Sequence, residues 1–473
     1  MGLAGTISFF LTSAAPTHAE SLNETLAYVY GTNPTITGAR ASVRELDEGI
    51  PIARAPGLPS LSSNFSYDYF PEQSENRLVT SNSSGSASLT MDVPLFLGGS
   101  VRNSVRAAEA RIRAGRSDLR STEANLFTET VAAYLDVVSA QSVFDLNVSN
   151  VKALETNLQG AQLRYNAGEL TRTDVAQSTA RLEQARGELA TATSGLAESK
   201  QEFVRVVGRY PENLEPPSPL PSFPATADDA ADMALANNPA LAAAKQARTA
   251  AGYDVNVAAA ARYPRVSAYA TGDYSNYFGT IPLGGLPNRN DESAAVGVRM
   301  NIPLFQGGLP GARVREAQAR ESQFIERTTL VERAILAEAR SAHFRYQASL
   351  VRIQASEAAV SSNELALEGV RAENTLGLRT LLDVLNAELE LLNSQVSLVT
   401  ARRDSYVAGF ALLAAVGKAE AADLGLSVTP YDPLVNYRRV KGSINDWAKD
   451  PRPDLVATRT IDVRETGMAD ARD

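Results

Sequence analysis

The chain has no cysteine, two histidines, one tryptophan, and 45 basic against 54 acidic residues among its 473. Without cysteine there are no disulfides, no thiolate nucleophile and no Cys-ligated zinc. His18 and His343 cannot make up a metal triad, and a Ser-His-Asp arrangement would have to rest on His343 alone. The acidic balance lacks the basic footprint that broad nucleic-acid binding needs. Past the N-terminal segment, no apolar run approaches the ~20 residues that a membrane-spanning helix requires. No cofactor, metal or nucleic acid is expected, and catalysis has no constellation to rest on.

What is present begins with an apolar, small-residue stretch over residues 3–15, then Pro16, Thr17, His18 and Ala19. Small residues at the last and third-last positions read as a secretory signal over residues 1–19, cleaved after Ala19. The rest of the chain repeats itself. Asn33-Pro34 returns as Asn238-Pro239 and Pro59 as Pro264, both 205 positions later. Val93-Pro-Leu-Phe-Leu-Gly-Gly99 returns as Ile302-Pro-Leu-Phe-Gln-Gly-Gly308, and Gly168 with Asp174 returns as Gly377 with Asp383, now at an offset of 209. A Pro-rich joint over residues 211–224, which cannot continue a helix, separates the copies. The expected organisation is a first repeat over 20–225, a second over 226–431, and a disordered tail over 432–473.

Within each copy two patterns alternate. Leu61, Phe65, Tyr67 and Tyr69 interleave with Ser62, Asn64, Ser66 and Asp68, and similar ten-residue alternations recur near 86–93, 265–274 and 294–302. Period two gives each strand one apolar and one polar face, at the length of a tilted bilayer-crossing strand. Strand hairpins are expected over about 60–94 and 265–303. Helical hairpins follow over about 102–208 and 311–418, the first arm of one reaching roughly 95 Å. Leu182, Leu189, Leu196 and Phe203 recur at sevens, and Leu391, Leu398 and Leu412 stand on the same register in the second copy, the mark of a coiled-coil seam. Four strands neither close a barrel nor leave a tolerable edge in lipid. Several chains must therefore share one barrel; the residues alone do not set how many.

The layout resembles the TolC family of outer-membrane efflux and secretion channels. The resemblance is carried by the Pro-Leu-Phe-x-Gly-Gly junctions (Pro94, Gly98, Gly99; Pro303, Gly307, Gly308) and by the segments from Arg164 to Val175 and from Gly377 to Leu385. It implies an α+β membrane protein with an all-antiparallel transmembrane β-barrel, four strands per chain and twelve per homotrimer, continued by a long coiled α-helical barrel. It also implies outer-membrane lipid, a periplasmic adaptor, and an inner-membrane ABC or proton-driven transporter as partners. The entrance would lie at the helix tips, where Gly168 and Gly377 make the turns. There Asp383 would recur around a narrow opening, and Arg379 would bond Asp174 of a neighbouring hairpin or merely pair with Asp383 on its own helix. Asn386 stands where the family often has a second acidic residue, and Asn374 where it often has tyrosine, so the ring is thinner and the closing network differently wired. Residues 431–440 are similar to the tail of the type I secretion branch, which makes polypeptide secretion the first reading and drug or metabolite efflux the alternative. A soluble coiled-coil interaction protein would account for the heptads and leave the strands and the export signal without purpose.

Overall fold

The computed structural model describes residues 20–71, 83–278 and 290–456, so the signal-peptide reading of 1–19 lies outside it. Strands β1 (Ser60–Tyr69), β2 (Ser83–Phe96), β3 (Arg265–Phe278) and β4 (Asn290–Asn301) form one antiparallel sheet in the order β1-β2-β3-β4. Register converts four separate alternations into one surface. Phe65 faces Ala87, which faces Tyr274, and Met91 faces both Leu61 and Ala270, which faces Val296. Leu61, Phe65, Tyr67, Leu89, Met91, Val93, Val266, Tyr274, Val296, Val298 and Met300 therefore fall on one side of the sheet, with Ser63, Asn276 and Glu292 among them. The other side carries mostly Ser, Thr, Asn, Asp and Arg, with Tyr269 and Tyr277. Pro94 lies inside β2, beside a register shift between Pro94 and Phe96, a place where its missing N–H is tolerated. Among the described residues β1 and β4 have no second partner, so both edges are open.

Each hairpin hands over to long helices through its paired glycines. Gly99 (φ 80°) and Gly308 (φ 82°) take left-handed N-cap positions ahead of α4 (Ser100–Asn166) and α8 (Leu309–Thr375), each 67 residues long. At 1.5 Å per residue each arm spans about 100 Å. A side chain at Gly98 would place its Cβ 2.7 Å from the Ala260 carbonyl oxygen, so that turn admits only glycine. The return arms are α5 (Arg172–Val207) and α9 (Leu381–Ala415). Among the described residues, no helix is long and apolar enough to cross a membrane.

Short helices complete a belt around the middle: α1 (Leu22–Thr32), α2 (Pro34–Asp47) and α3 (Gly49–Arg54) in the first copy, α6 (Ala227–Asn237) and α7 (Pro239–Ala259) in the second. The repeated Asn-Pro does the same work twice. Asn33 caps the Thr35 amide (2.8 Å) and donates to the Val206 carbonyl at the end of α5 (2.7 Å). Asn238 caps the Ala240 amide (2.9 Å) and donates to the Ala415 carbonyl at the end of α9 (3.1 Å). Proline at the first helical position costs no hydrogen bond there. The belt holds the largest core, with Leu26, Ile36, Phe127, Tyr134, Phe203 and Phe410 buried together. The Tyr134 hydroxyl lies 2.8 Å from the Glu20 carbonyl and 2.7 Å from that of Glu215, tying a residue just ahead of α1 to the Pro-rich joint.

The tail reading needs correction. Residues 434–440 form a helix, α10 (Leu434–Val440), whose Asn436 and Val440 are buried. Asn436 donates to the buried carboxylate of Asp47 at the end of α2 (3.0 Å), the Tyr431 amide donates to the Tyr30 hydroxyl (3.0 Å), and the Arg116 guanidinium lies 4.8 Å from the Tyr437 ring. Seven residues are too few to display helical periodicity, but the buried Asp47, with Arg116 on one carboxylate oxygen (3.4 Å), has its other oxygen to offer Asn436. Residues 442–456 are exposed, without helix or strand, and Trp447 is 89% exposed.

Candidate functional site

The far ends of the two helical hairpins are built alike. Gly168 (φ 83°) and Gly377 (φ 78°) close α4 and α8. The amide after each glycine reaches back to a carbonyl of the last turn, Glu169 to Arg164 and Leu378 to Glu373, both at 2.9 Å. The next helices then start on reciprocal capping boxes. Thr171 caps the Asp174 amide while Asp174 accepts from the Thr171 amide (2.9 Å) and hydroxyl (2.7 Å). Thr380 and Asp383 repeat this at 3.0 and 2.8 Å. The Thr hydroxyl, then its amide, hold each aspartate below the usual carboxylate range. The six-residue spacing from glycine to aspartate is thus the length of one turn plus one capping box. Thr-x-x-Asp at both tips is the sequence signal for it.

Within this chain the expected latch is wired differently. Arg379 is bonded neither to Asp174 nor to Asp383; its Nε donates to Glu373 (2.7 Å), and Asn374 donates to the Arg379 carbonyl (2.8 Å). Asn386 accepts from Arg181 of α5 (2.8 Å), so the residue standing in for a second acid links the two hairpins. A further residue carries no obvious mark in the sequence. Glu388, 8% exposed, accepts from Asn157 of α4 (2.9 Å) and from Arg371 of α8 (2.7 Å). Beside it Leu154, Leu182, Ala185 and Leu385 form a small buried cluster of α4, α5 and α9. A paired carboxylate beside such a cluster fixes one geometry, because losing Arg371 would leave the charge uncompensated and losing Asn157 would leave an acceptor oxygen unpaired. Among the described residues no group of three or more acidic or histidine side chains could hold a metal ion.

A sheet predominantly apolar on one face, joined through glycine turns to polar rods about 100 Å long with capped tips, defines a conduit that runs from membrane into water. The chain belongs to the outer membrane efflux protein family, whose model matches residues 29–209 and 230–418, one segment in each repeat. It is 32% identical over 423 residues to the outer membrane efflux protein BepC of Brucella suis, covering 89% of this chain and 91% of that one. It is 29% identical over 315 residues to the alkaline protease secretion protein AprF of Pseudomonas aeruginosa, covering 65% and 64%. In fold it is similar to the CmeC outer membrane channel of Campylobacter jejuni, with a TM-score of 0.74, 14% identity and 91% of each chain covered. The protein is therefore an outer-membrane channel of the TolC type, in a family used for both efflux and secretion.

Proposed function

We propose that three copies close a twelve-stranded barrel in the outer membrane and form a passive exit duct through the periplasm. The observation that carries this reading is the four-stranded sheet with a predominantly apolar face and two open edges. Four strands enclose nothing, eight fill their own interior with side chains, and twelve leave a water-filled lumen. The apolar face meets lipid, and the long helices extend the lumen into water. Cargo enters at the tips, delivered by a periplasmic adaptor and an inner-membrane ABC or proton-driven transporter. Asp383 recurs three times around that entrance, a ring of like charge that favours cations. The Asn386–Arg181 and Glu388–Asn157 bonds join the two hairpins of one chain near the tips. On this reading Arg379 exchanges Glu373 for Asp174 of a neighbouring copy to hold the entrance shut, so Arg379→Ser raises single-channel conductance; unchanged conductance counts against a latch there.

Secretion of an unfolded polypeptide is the first reading of the cargo. It is supported by the 431–440 segment and by the likeness to a protein named for alkaline protease secretion. The higher identity and wider coverage of a relative named for efflux favour the second reading, export of small molecules. Light scattering of the detergent-extracted protein tests the duct itself: a three-copy mass supports it, and a detergent-free monomer sinks it. Deleting the gene separates the cargoes, by loss of a secreted polypeptide from the medium or by sensitivity to small toxic compounds.

A further inference from the structure

The repeats share one strand register, and it extends past the edges of the sheet. Moving β1 and β2 by the offsets 205 and 209 turns Leu61↔Met91 into Val266↔Met300 and Ser66↔Ser86 into Thr271↔Ala295, and both of these pairs are observed. Adding 209 to β2 and subtracting 205 from β3 in the β2–β3 seam gives the pairing of β4 with β1 of another copy. Thr90↔Thr271 becomes Arg299 opposite Ser66, Leu89↔Gly272 becomes Val298 opposite Tyr67, and Ser88↔Asp273 becomes Gly297 opposite Asp68. This register keeps the apolar rows on one face across the seam, which a one-residue slip would not.

We propose that Arg299 of one copy and Asp68 of the next form a charge clasp across that seam, an inference that rests on the shared-barrel reading above. The two residues become diagonal neighbours on the polar face, where a backbone separation of about 7–8 Å is within reach of an arginine. Arg299 is held ready for this. The Tyr269 ring lies over Gly297, where an added Cβ would sit 2.8 Å from its hydroxyl, and the Arg299 guanidinium is 4.8 Å from the ring centre. Among the described residues neither Arg299 nor Asp68 has an ion-pair partner in its own chain; Asp68 accepts only a long bond from Ser66 (3.4 Å). The seam inside the chain gives the contrast. Its equivalent positions are Thr90 and Asp273, so the aspartate occurs at both seams and the arginine only where the strands belong to different copies. The covalent chain already holds β2 to β3, whereas β4 and β1 of separate copies have only their contacts.

The absence of native cysteine makes the test direct. A chain carrying Tyr67→Cys and Val298→Cys is expected to give covalent multimers on denaturing gels after mild oxidation, because opposed strand residues lie within disulfide reach. Tyr67→Cys paired with Val296→Cys or Met300→Cys is expected to give little. Cross-linking by an offset pair in place of 67/298 overturns the register and the clasp while leaving the shared barrel standing. No cross-link from any pair, with a one-copy mass in detergent, overturns the shared barrel and the clasp with it. For the charges, Arg299→Asp is expected to lower the temperature at which the multimer separates, and adding Asp68→Arg to restore it. A double variant that separates as early as the single one overturns the clasp.

Discussion

The helical belt and the strand sheet deal with apolar surface in opposite ways. In the belt, Phe127 and Tyr134 of α4 are sealed against α1, α5 and α9 of the same chain, and their ring faces meet no solvent. In the sheet, Phe65 and Val296 are 77% and 87% exposed. The belt is a folding unit of one chain, stabilised by roughly 1.5–3 kcal/mol for each large side chain it buries. On the shared-barrel reading, the sheet is one half of an interface whose other half is lipid and further copies.

The largest expected effect lies in the belt. Phe127→Ala should cost about 3–5 kcal/mol and lower the thermal midpoint of the helical circular-dichroism signal in detergent. Phe65→Ala should leave that midpoint in place, and an equal drop would break the comparison. Tyr134→Phe keeps the ring but removes the donor shared by the buried Glu20 carbonyl and the partly buried Glu215 carbonyl, a loss of about 0.5–1.5 kcal/mol readable as a shift in the denaturant midpoint at constant slope. The paired caps come next. Asn33→Ala and Asn238→Ala should each cost about 1 kcal/mol and speed amide exchange in the first turns of α2 and α7, Asn33 the more because it is buried.

The smallest effect is at the tips and depends on pH. Asp174 and Asp383 have carboxyls held below their ordinary value of 3.8 by Thr171 and Thr380. Stability from a depressed carboxylate is fully present above the unfolded value and is lost as pH falls through the folded one. The tip caps should therefore stay intact from neutral pH down past the ordinary aspartate range and loosen only in stronger acid. Amide exchange at Asp174 and Asp383, corrected for the intrinsic rate, reports this, and Asp→Asn at either tip should abolish the acid step.

The strands, the turns and the long arms were legible because each is written in local periodicity, and because the repeat writes each of them twice. Gly168 and Gly377 need positive φ, and Pro94 and Pro303 introduce the glycine pairs that open α4 and α8. What did not show are contacts between segments far apart in the chain. Glu388 looks like any exposed acid on a coiled helix until α4 and α8 bring Asn157 and Arg371 to it. Arg379 has Glu373 and Asp383 at similar sequence distances, and only the closed turn after Gly377 selects Glu373. α10 depends on Asp47, nearly four hundred residues away. The capping boxes were present in the letters as Thr-x-x-Asp, masked by reading the aspartates as charges when they are also helix starters.

The open edges of β1 and β4 also bear on gene dosage. On the shared-barrel reading, no copy is useful until it has met others, so working ducts rise more steeply than the amount of protein made. A cell that halves synthesis loses more than half its exits. One that makes the chain in bursts collects more ducts from the same total than one that makes it steadily. A subunit with one faulty edge does more harm than a missing subunit, because it can occupy a place in an assembly that then cannot close. Defects in β1 or β4 should therefore be dominant over a normal copy of the gene, whereas defects that unfold the belt should be recessive.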